Sequence, residues 1–354
     1  MSEASTVADA PGALPAPPPR GAPPPSTGPR SPGGASMSLA QLEAGSSLWR
    51  DAWRRLRKNR AAVISGALLL AMIAACVLVP QLSQWRYDKA DLALGATPPS
   101  AAHWMGTDYY GRDTMARVFF GGRLSFAVGL VATVVSFVIG VSWGGIAGYF
   151  GGKVDALMMR FVDVLYTFPF LILVILLMVF FANDKTFLYQ AWRWGLGIVV
   201  AHPEDPSYFP VFQIVIVFFA LGGISWLTMA RIVRGQVIAL RDQPFVEAAR
   251  SVGVGHAGLI FRHLIPNSLG PIIVYTTLTI PEVMMVEAFL SFLGLGTQEP
   301  LSSWGLLASG GADSMLLYPW LLIFPASMLA ITLFCFNFLG DGLRDALDPR
   351  IRKD

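Results

Sequence analysis

Charge is scarce in this 354-residue chain: 14% of its residues are Asp, Glu, Lys or Arg, against about 25% in a soluble domain. With 54% hydrophobic residues and a mean hydropathy of +0.55, that scarcity places it in the membrane class and leaves little charged surface for a soluble fold. The net charge is only +3, and the basic residues are not interleaved with aromatics, which argues against nucleic-acid binding. There are two cysteines, Cys76 and Cys335, and both fall inside apolar runs, where they read as small buried hydrophobes and not as a disulfide. The four histidines, His103, His202, His256 and His263, have no metal-ligand spacing. A phosphate-binding loop G-x-x-x-x-G-K-[ST] is missing too: the Gly152-Lys153 pair is followed by Val154 and has no glycine at 147. No HExxH pattern occurs, and the G-x-S-x-G match at Gly140–Gly144 lies inside an apolar run and not at a strand-to-helix turn, so no enzyme site is legible.

The first 40 residues also lack an apolar core long enough for a cleavable signal. The segment "APGALPAPPPRGAPPPSTGPRSPGGAS" is rich in Pro, Gly, Ala and Ser and reads as a disordered tail over 1–45, with a proline-rich docking ligand as the alternative. Residues 46–123 then form an amphipathic basic segment, a first span and an outer loop, and 124–354 form a five-helix core.

What is present is a series of long apolar runs. Six spans are expected, at 61–80, 124–150, 164–182, 210–230, 269–293 and 315–340. At ~1.5 Å per residue each reaches across a hydrocarbon layer of about 30 Å. Backbone groups in lipid must pair within their own segment, so the predicted fold is an all-α polytopic membrane protein. Segments 49–60, 151–163, 231–268 and 341–354 carry 17 Lys and Arg, and the three alternate segments carry 7. This bias places both termini in the cytoplasm. Ala132, Ser136, Gly140, Gly144 and Gly148 recur every fourth residue in the second span, a stripe that lets another helix approach closely. "FLYQAWRWGLGIVV" (187–200) is too short to span and carries Arg193; it reads as an interfacial outer element, or alternatively as a re-entrant helix.

Between two apolar runs lies "PFVEAARSVGVGHAGLIFRHLIPNSLGP" (244–271). Asp242 and Pro244 mark a helix start, Gly253 a stop two turns later, and an amphipathic segment follows to Pro266. Ala248 and Ala249 keep one side of the short helix slim, as docking into a partner's groove requires; a generic interfacial helix is the plainer reading. Acids inside a span mark functional sites. Glu282, beside Pro281, and Glu287 are therefore candidates for the wall of a path. The alternatives are that Glu282 satisfies backbone groups freed by the proline and that Glu287 bonds to an adjacent outer loop.

"EAARSVGVGHAGLIFRHLIP" resembles the EAA loop of the permease subunits of binding-protein-dependent ABC importers, E-A-A, three residues, G, nine residues, I-x-L-P. Glu247, Ala248, Ala249, Gly253 and Pro266 match; His263 and Ile265 depart from the usual apolar pair. "HWMGTDYYGRDTMARVFFGGRLS" (103–125), "EAFLSFLGLG" (287–296), "SSWGLLASGG" (302–311) and "GDGLRDALDPR" (340–350) are similar to blocks of the oligopeptide, dipeptide and nickel permeases, specifically the C-type subunit, in the same order. The resemblance covers about residues 48–354, and the outer segment 183–209 is longer than the family leads one to expect. It implies a type I importer permease fold in a bacterial inner membrane, with residues 231–268 as the ATPase-coupling loop. It also implies two ABC ATPase subunits holding ATP and Mg, a second homologous permease, an extracytoplasmic peptide-binding protein and a peptide substrate. The chain itself is expected to hold no cofactor or metal. Nickel or another small solute is the alternative cargo. An ion-coupled secondary transporter, which predicts buried midplane charges and an inverted repeat, and a membrane scaffold, which needs no such loop, are the alternatives of a different class.

Overall fold

The computed structural model describes residues 48–181, 184–196 and 208–347. The proline-rich tail, most of the outer segment after residue 196 and the last seven residues lie outside that range. Among the described residues the regular elements are all helical.

The basic amphipathic helix α1 (Leu48–Lys58) leads into α2 (Arg60–Leu82), which starts where the Asn59 side chain accepts from the Ala62 N–H at 3.2 Å. Asp113 caps α3 (Thr114–Phe150) in the same way, accepting from Ala116 at 2.7 Å. Gly151, with φ +65°, ends α3 and starts α4 (Gly152–Thr167). After Phe168 and Pro169 comes α5 (Phe170–Phe181), then the short helix α6 (Phe187–Leu196) and the long α7 (Tyr208–Arg241). Next are α8 (Pro244–Ser251), α9 (Leu269–Phe292), α10 (Trp304–Ala312) and α11 (Trp320–Leu347).

Five helices, α2, α3, α7, α9 and α11, are long and apolar enough to cross a membrane, and α4 with α5 makes six if the pair is one span. The continuous helix expected over 164–182 is corrected here: α4 and α5 meet at 85°. Pro169 has no N–H and restricts Phe168 to an extended conformation (ψ 133°), so the ladder stops although hydropathy does not. The second and fourth spans run past their apolar windows. At ~1.5 Å per residue, α3 and α7 reach roughly 55 and 51 Å.

The two longest helices pack along the small-residue stripe. A Cβ on Gly140 would lie 2.6 Å from the Cβ of Met229, and one on Gly148 2.8 Å from the Arg234 carbonyl oxygen. Gly144 faces the Ala230 carbonyl. From the other side, Gly222 of α7 fits against the Ala132 carbonyl. Around this pair, one apolar cluster joins α3, α4, α5, α7 and α9, and another joins α2, α3, α9, α10 and α11 around buried Trp304 and the free, buried Cys76 and Cys335. Large side chains including Ile64, Leu70, Leu130, Ile172, Phe180 and Phe334 stay exposed. Such a belt is what a lipid-facing surface presents.

The helix ends sort into two groups. At one end, Gly342 meets Ala62, Arg234 pairs with Asp155 at 2.6 Å and Tyr149 bonds His256. At the other, Trp320 donates to the Thr107 carbonyl at 3.2 Å and Arg117 reaches Glu299 at 2.9 Å. The four basic-rich segments therefore share one end.

Candidate functional site

At the basic end, α8 begins with Pro244 in its first turn and Gln243 in the capping position; Asp242 lies outside the helix and pairs with Arg241 at 3.4 Å. Its other end is closed by two backbone bonds, Gly253 N–H to Arg250 O at 3.0 Å and Val254 N–H to Ala249 O at 3.2 Å. This is the Schellman pattern, and it requires the left-handed φ of +89° that Gly253 adopts. The stop expected from sequence is where the helix stops.

Beyond Gly255 the chain winds on through a turn (His256–Gly258), a wider π-turn (Leu259–Leu264) and a final turn (Ile265–Asn267). Pro266 was expected to end this segment, but it sits at the start of the last turn, where its missing N–H costs little. The break falls at Ser268 (φ −96°, ψ 0°).

Val246, Leu259, Ile260 and Leu264 are buried with Tyr149 of α3, Val233 and Val237 of α7 and Ile272 of α9. The Tyr149 hydroxyl and His256 Nδ1 are 2.7 Å apart, and Arg241 Nη1 donates to the Gly148 carbonyl at 3.2 Å. The segment is thus fixed on its inner side to the ends of three long helices. Its outer side presents Glu247, Ala248, Arg250 and Pro266 together with exposed Phe245, Val252 and Phe261. The two alanines do not share a face: Ala248 is exposed, whereas Ala249 is half-buried against the inner cluster.

The two acids of α9 also part company. Glu282 is exposed and faces a cavity of about 310 Å³. The cavity lies in the angle between α4 and α5 and is lined by Tyr166, Phe168, Pro169, Ser225, Thr228, Tyr275 and Thr279. Glu287 is 1% exposed. Its Oε1 accepts from Ser291 Oγ at 2.7 Å and Thr297 Oγ1 at 3.4 Å, and it does not line the cavity at the α4–α5 angle. It ties α9 to the loop that follows, from full burial and not from near the surface.

At the opposite end, the "GTDYYGRD" segment forms an ion-pair network. Asp108 accepts from Arg112 Nε at 2.7 Å and from Arg117, and both guanidiniums reach Glu299 at 2.9 Å. Burial raises the Glu299 carboxyl, but the Arg112 hydrogen bonds and the Arg117 and Arg112 charges outweigh it, so the group titrates below its usual range. His103 Nδ1 lies 2.8 Å from Asp113. Glu299 was not singled out from sequence, since its partners are more than 180 positions away. The hydroxyls around Glu282 were missed as well; Pro169, which opens the angle they line, was the available signal. Among the described residues no group of three or more His, Cys, Asp or Glu side chains is gathered for a metal.

Residues 140–353 match the family described as binding-protein-dependent transport system inner membrane component. Residues 47–99 match the N-terminal TM domain of oligopeptide transport permease C. The chain is 48% identical over 310 residues to the oligopeptide transport system permease protein OppC of Escherichia coli (strain K12), covering 87% of this chain and 93% of that one. It is 46% identical to the protein of the same name from Haemophilus influenzae (88% and 91% covered). Identity is 42% to the dipeptide transport system permease protein DppC of Bacillus subtilis (87% of each). Among solved structures, an inward facing conformation of the MetNI methionine ABC transporter aligns at 19% identity and a TM-score of 0.47, over 66% of this chain and 97% of that one.

Proposed function

Because the chain belongs to the family of binding-protein-dependent transport system inner membrane components, we propose that it forms half of the membrane pathway of an ATP-driven peptide importer. It is a multi-pass inner-membrane permease subunit of an ABC transporter and not itself the catalyst. Peptide as cargo is supported by the names of relatives at 42–48% identity across most of the chain. The other half of the pathway comes from a second, homologous permease. Peptide is delivered by an extracytoplasmic binding protein, and ATP with Mg is held and hydrolysed on two separate ATPase subunits.

The observation that carries this reading is the two-sided build of the 244–267 segment. Its outer face is an exposed short helix with Glu247 and Ala248 uncovered, while its inner face is embedded in the ends of α3, α7 and α9. An ATPase gripping the outer face therefore moves the buried cluster, and the cluster moves three spans. The contact between α3 and α7 through Gly140, Gly144 and Gly148 leaves no room for sliding, so the two shift as one body. The basic end, with 17 Lys and Arg in its segments against 7, faces the cytoplasm, where ATP is available. The "GTDYYGRD" network then faces outward and serves as a rim for the binding protein.

The test is reconstitution. The chain should co-purify with two ATPase chains and a second permease, and proteoliposomes of the complex should accumulate labelled tripeptide only with binding protein and ATP. ATP-dependent accumulation of nickel or another solute, with no peptide uptake, would move the cargo elsewhere within the family. Stable isolation without any ATPase, with uptake driven by an ion gradient, would overturn the importer reading.

A further inference from the structure

Of the two acids on α9, Glu282 is the one that faces open space, and none of the described residues neutralises it. Among the described residues its carboxylate accepts no hydrogen bond and has no ion-pair partner. The basic side chain at the rim of the same cavity is already engaged. Arg231 stacks over the Tyr166 ring at 3.9 Å and pairs with Asp163 at 2.6 Å. A carboxylate on an apolar span is costly to hold unless water or a cation meets it. Here the surroundings are prepared for a small polar group. The hydroxyl-bearing residues Tyr166, Thr228, Ser225, Tyr275 and Thr279 line the cavity, with Tyr166 and Thr228 bonded to each other. Phe168, Phe170, Ile224 and Leu227 supply an apolar wall.

At about 310 Å³ the space stands at the small end of ligand pockets, roughly 300–1,000 Å³. It admits one side chain or one chain terminus, not a whole oligopeptide. An unpaired carboxylate, a ring of hydroxyl acceptors and an apolar wall together suit a protonated amine carried on a short aliphatic stem.

We propose that Glu282 and the hydroxyls around it form a transient subsite for a cationic group of the passing peptide, a lysine side chain or the N-terminal ammonium. This rests on the peptide-import reading and deepens it. Glu282 is then a specificity-determining residue of the pathway, and the bend at Pro169 exists to open room beside it. Pairing of Glu282 with a basic residue of the second permease is the competing occupant.

The experiment uses the whole complex in proteoliposomes with its binding protein. Uptake is measured for three tripeptides identical except for one central residue: lysine, norleucine as its neutral isostere, or glutamate. Each is tested with the wild type, Glu282→Gln and Glu282→Asp. Binding-protein preference is common to all variants, so it cancels in the comparison. The expected result is that Gln lowers the lysine-to-norleucine uptake ratio about tenfold while the glutamate peptide is spared or gains, and that Asp restores most of the ratio. A uniform loss for all three peptides, with or without weaker co-purification of the second permease, would make Glu282 a structural or interface residue and overturn the proposal. An unchanged ratio in Gln would overturn it as well. Failure of the wild type to take up any peptide would instead sink the peptide reading on which the subsite rests.

Discussion

Gly253 offers a test of the coupling segment in which one physical effect can be isolated. An alanine Cβ at this position would meet nothing within 4 Å, so Gly253→Ala adds no clash. It changes only the backbone, which holds φ at +89°. An L-residue kept there costs about 1–3 kcal/mol. The cost falls on the two bonds that close α8, Gly253 to Arg250 and Val254 to Ala249. The helix has eight residues and its one fully buried side chain is Val246, so it cannot spread the strain far. At about 1.4 kcal/mol per tenfold, the opening equilibrium of α8 should rise roughly 5- to 150-fold. Gly255 supplies the control: it is equally free of neighbours but has φ −68°, which alanine adopts without strain. Amide hydrogen exchange over 244–254 in the purified complex should therefore accelerate in Gly253→Ala and not in Gly255→Ala. ATPase retained on co-purification should follow the same order. Equal exchange in the two alanine variants would show that the left-handed turn does not hold α8 in place.

Three other outcomes follow from the same structure. Gly144→Ala places a methyl group against the Ala230 carbonyl, whereas Gly223→Ala of α7 meets open space; overpacking of about 1–3 kcal/mol against about 1 kcal/mol of helix propensity regained should lower the unfolding midpoint of the first by a few degrees below the second, and the reverse order in a thermal melt would refute the packed stripe. Glu299, with its carboxyl held below the usual range, stabilises the outer network above the unfolded value near 4.5 and releases it as pH falls through the lower folded value; wild type and Glu299→Gln should differ in melting midpoint at pH 6 and converge as pH drops toward 3, and a gap that persists or widens in acid would show that the carboxylate is not the active element. A cysteine replacing exposed Arg250 should react with an impermeant thiol reagent only from the cytoplasmic side, and one replacing Trp104, 71% exposed, only from outside; since Cys76 and Cys335 are buried, labelling of position 250 in intact cells would invert the proposed orientation.

Local chemistry explains what could be read in advance. The start of α8 at Pro244 and its stop at Gly253 each depend on one residue's backbone limits, and both appear in the structure where the sequence placed them. The small-residue stripe on α3 was equally plain, because its four-residue repeat forces a single face. The α4–α5 bend was obscured by a mismatch of signals. Hydropathy sums length along 164–182 and carries no direction, while the proline that turns the chain contributes little to the sum. Pro266 shows the converse: the same residue type, seated in a first turn, breaks nothing. Glu299 lay beyond reach for another reason, since its guanidinium partners sit more than 180 positions away along the chain and no local pattern announces them.

The pair Glu282 and Glu287 is the more instructive case, because the information was present in the spacing. Five residues along an α-helix turn the side chain by about 140°, so two acids at that separation cannot both face the same wall. One had to point away from whatever surface the other lines. Which of them faces inward is decided by their neighbours: Ser291 is one turn beyond Glu287 on its own face and bonds to it, whereas Leu278 and Val286 flank Glu282 at four residues and the hydroxyl of Thr279, three residues before it, donates to the Tyr275 carbonyl at 2.9 Å. An acid whose own helix face supplies a hydroxyl is equipped for burial. An acid whose neighbouring hydroxyl is already spent on the backbone must look to water, to a ligand or to another chain. On that reasoning the sequence itself separates the anchoring glutamate from the one left for the cargo, and the cavity beside Glu282 is where the structure agrees.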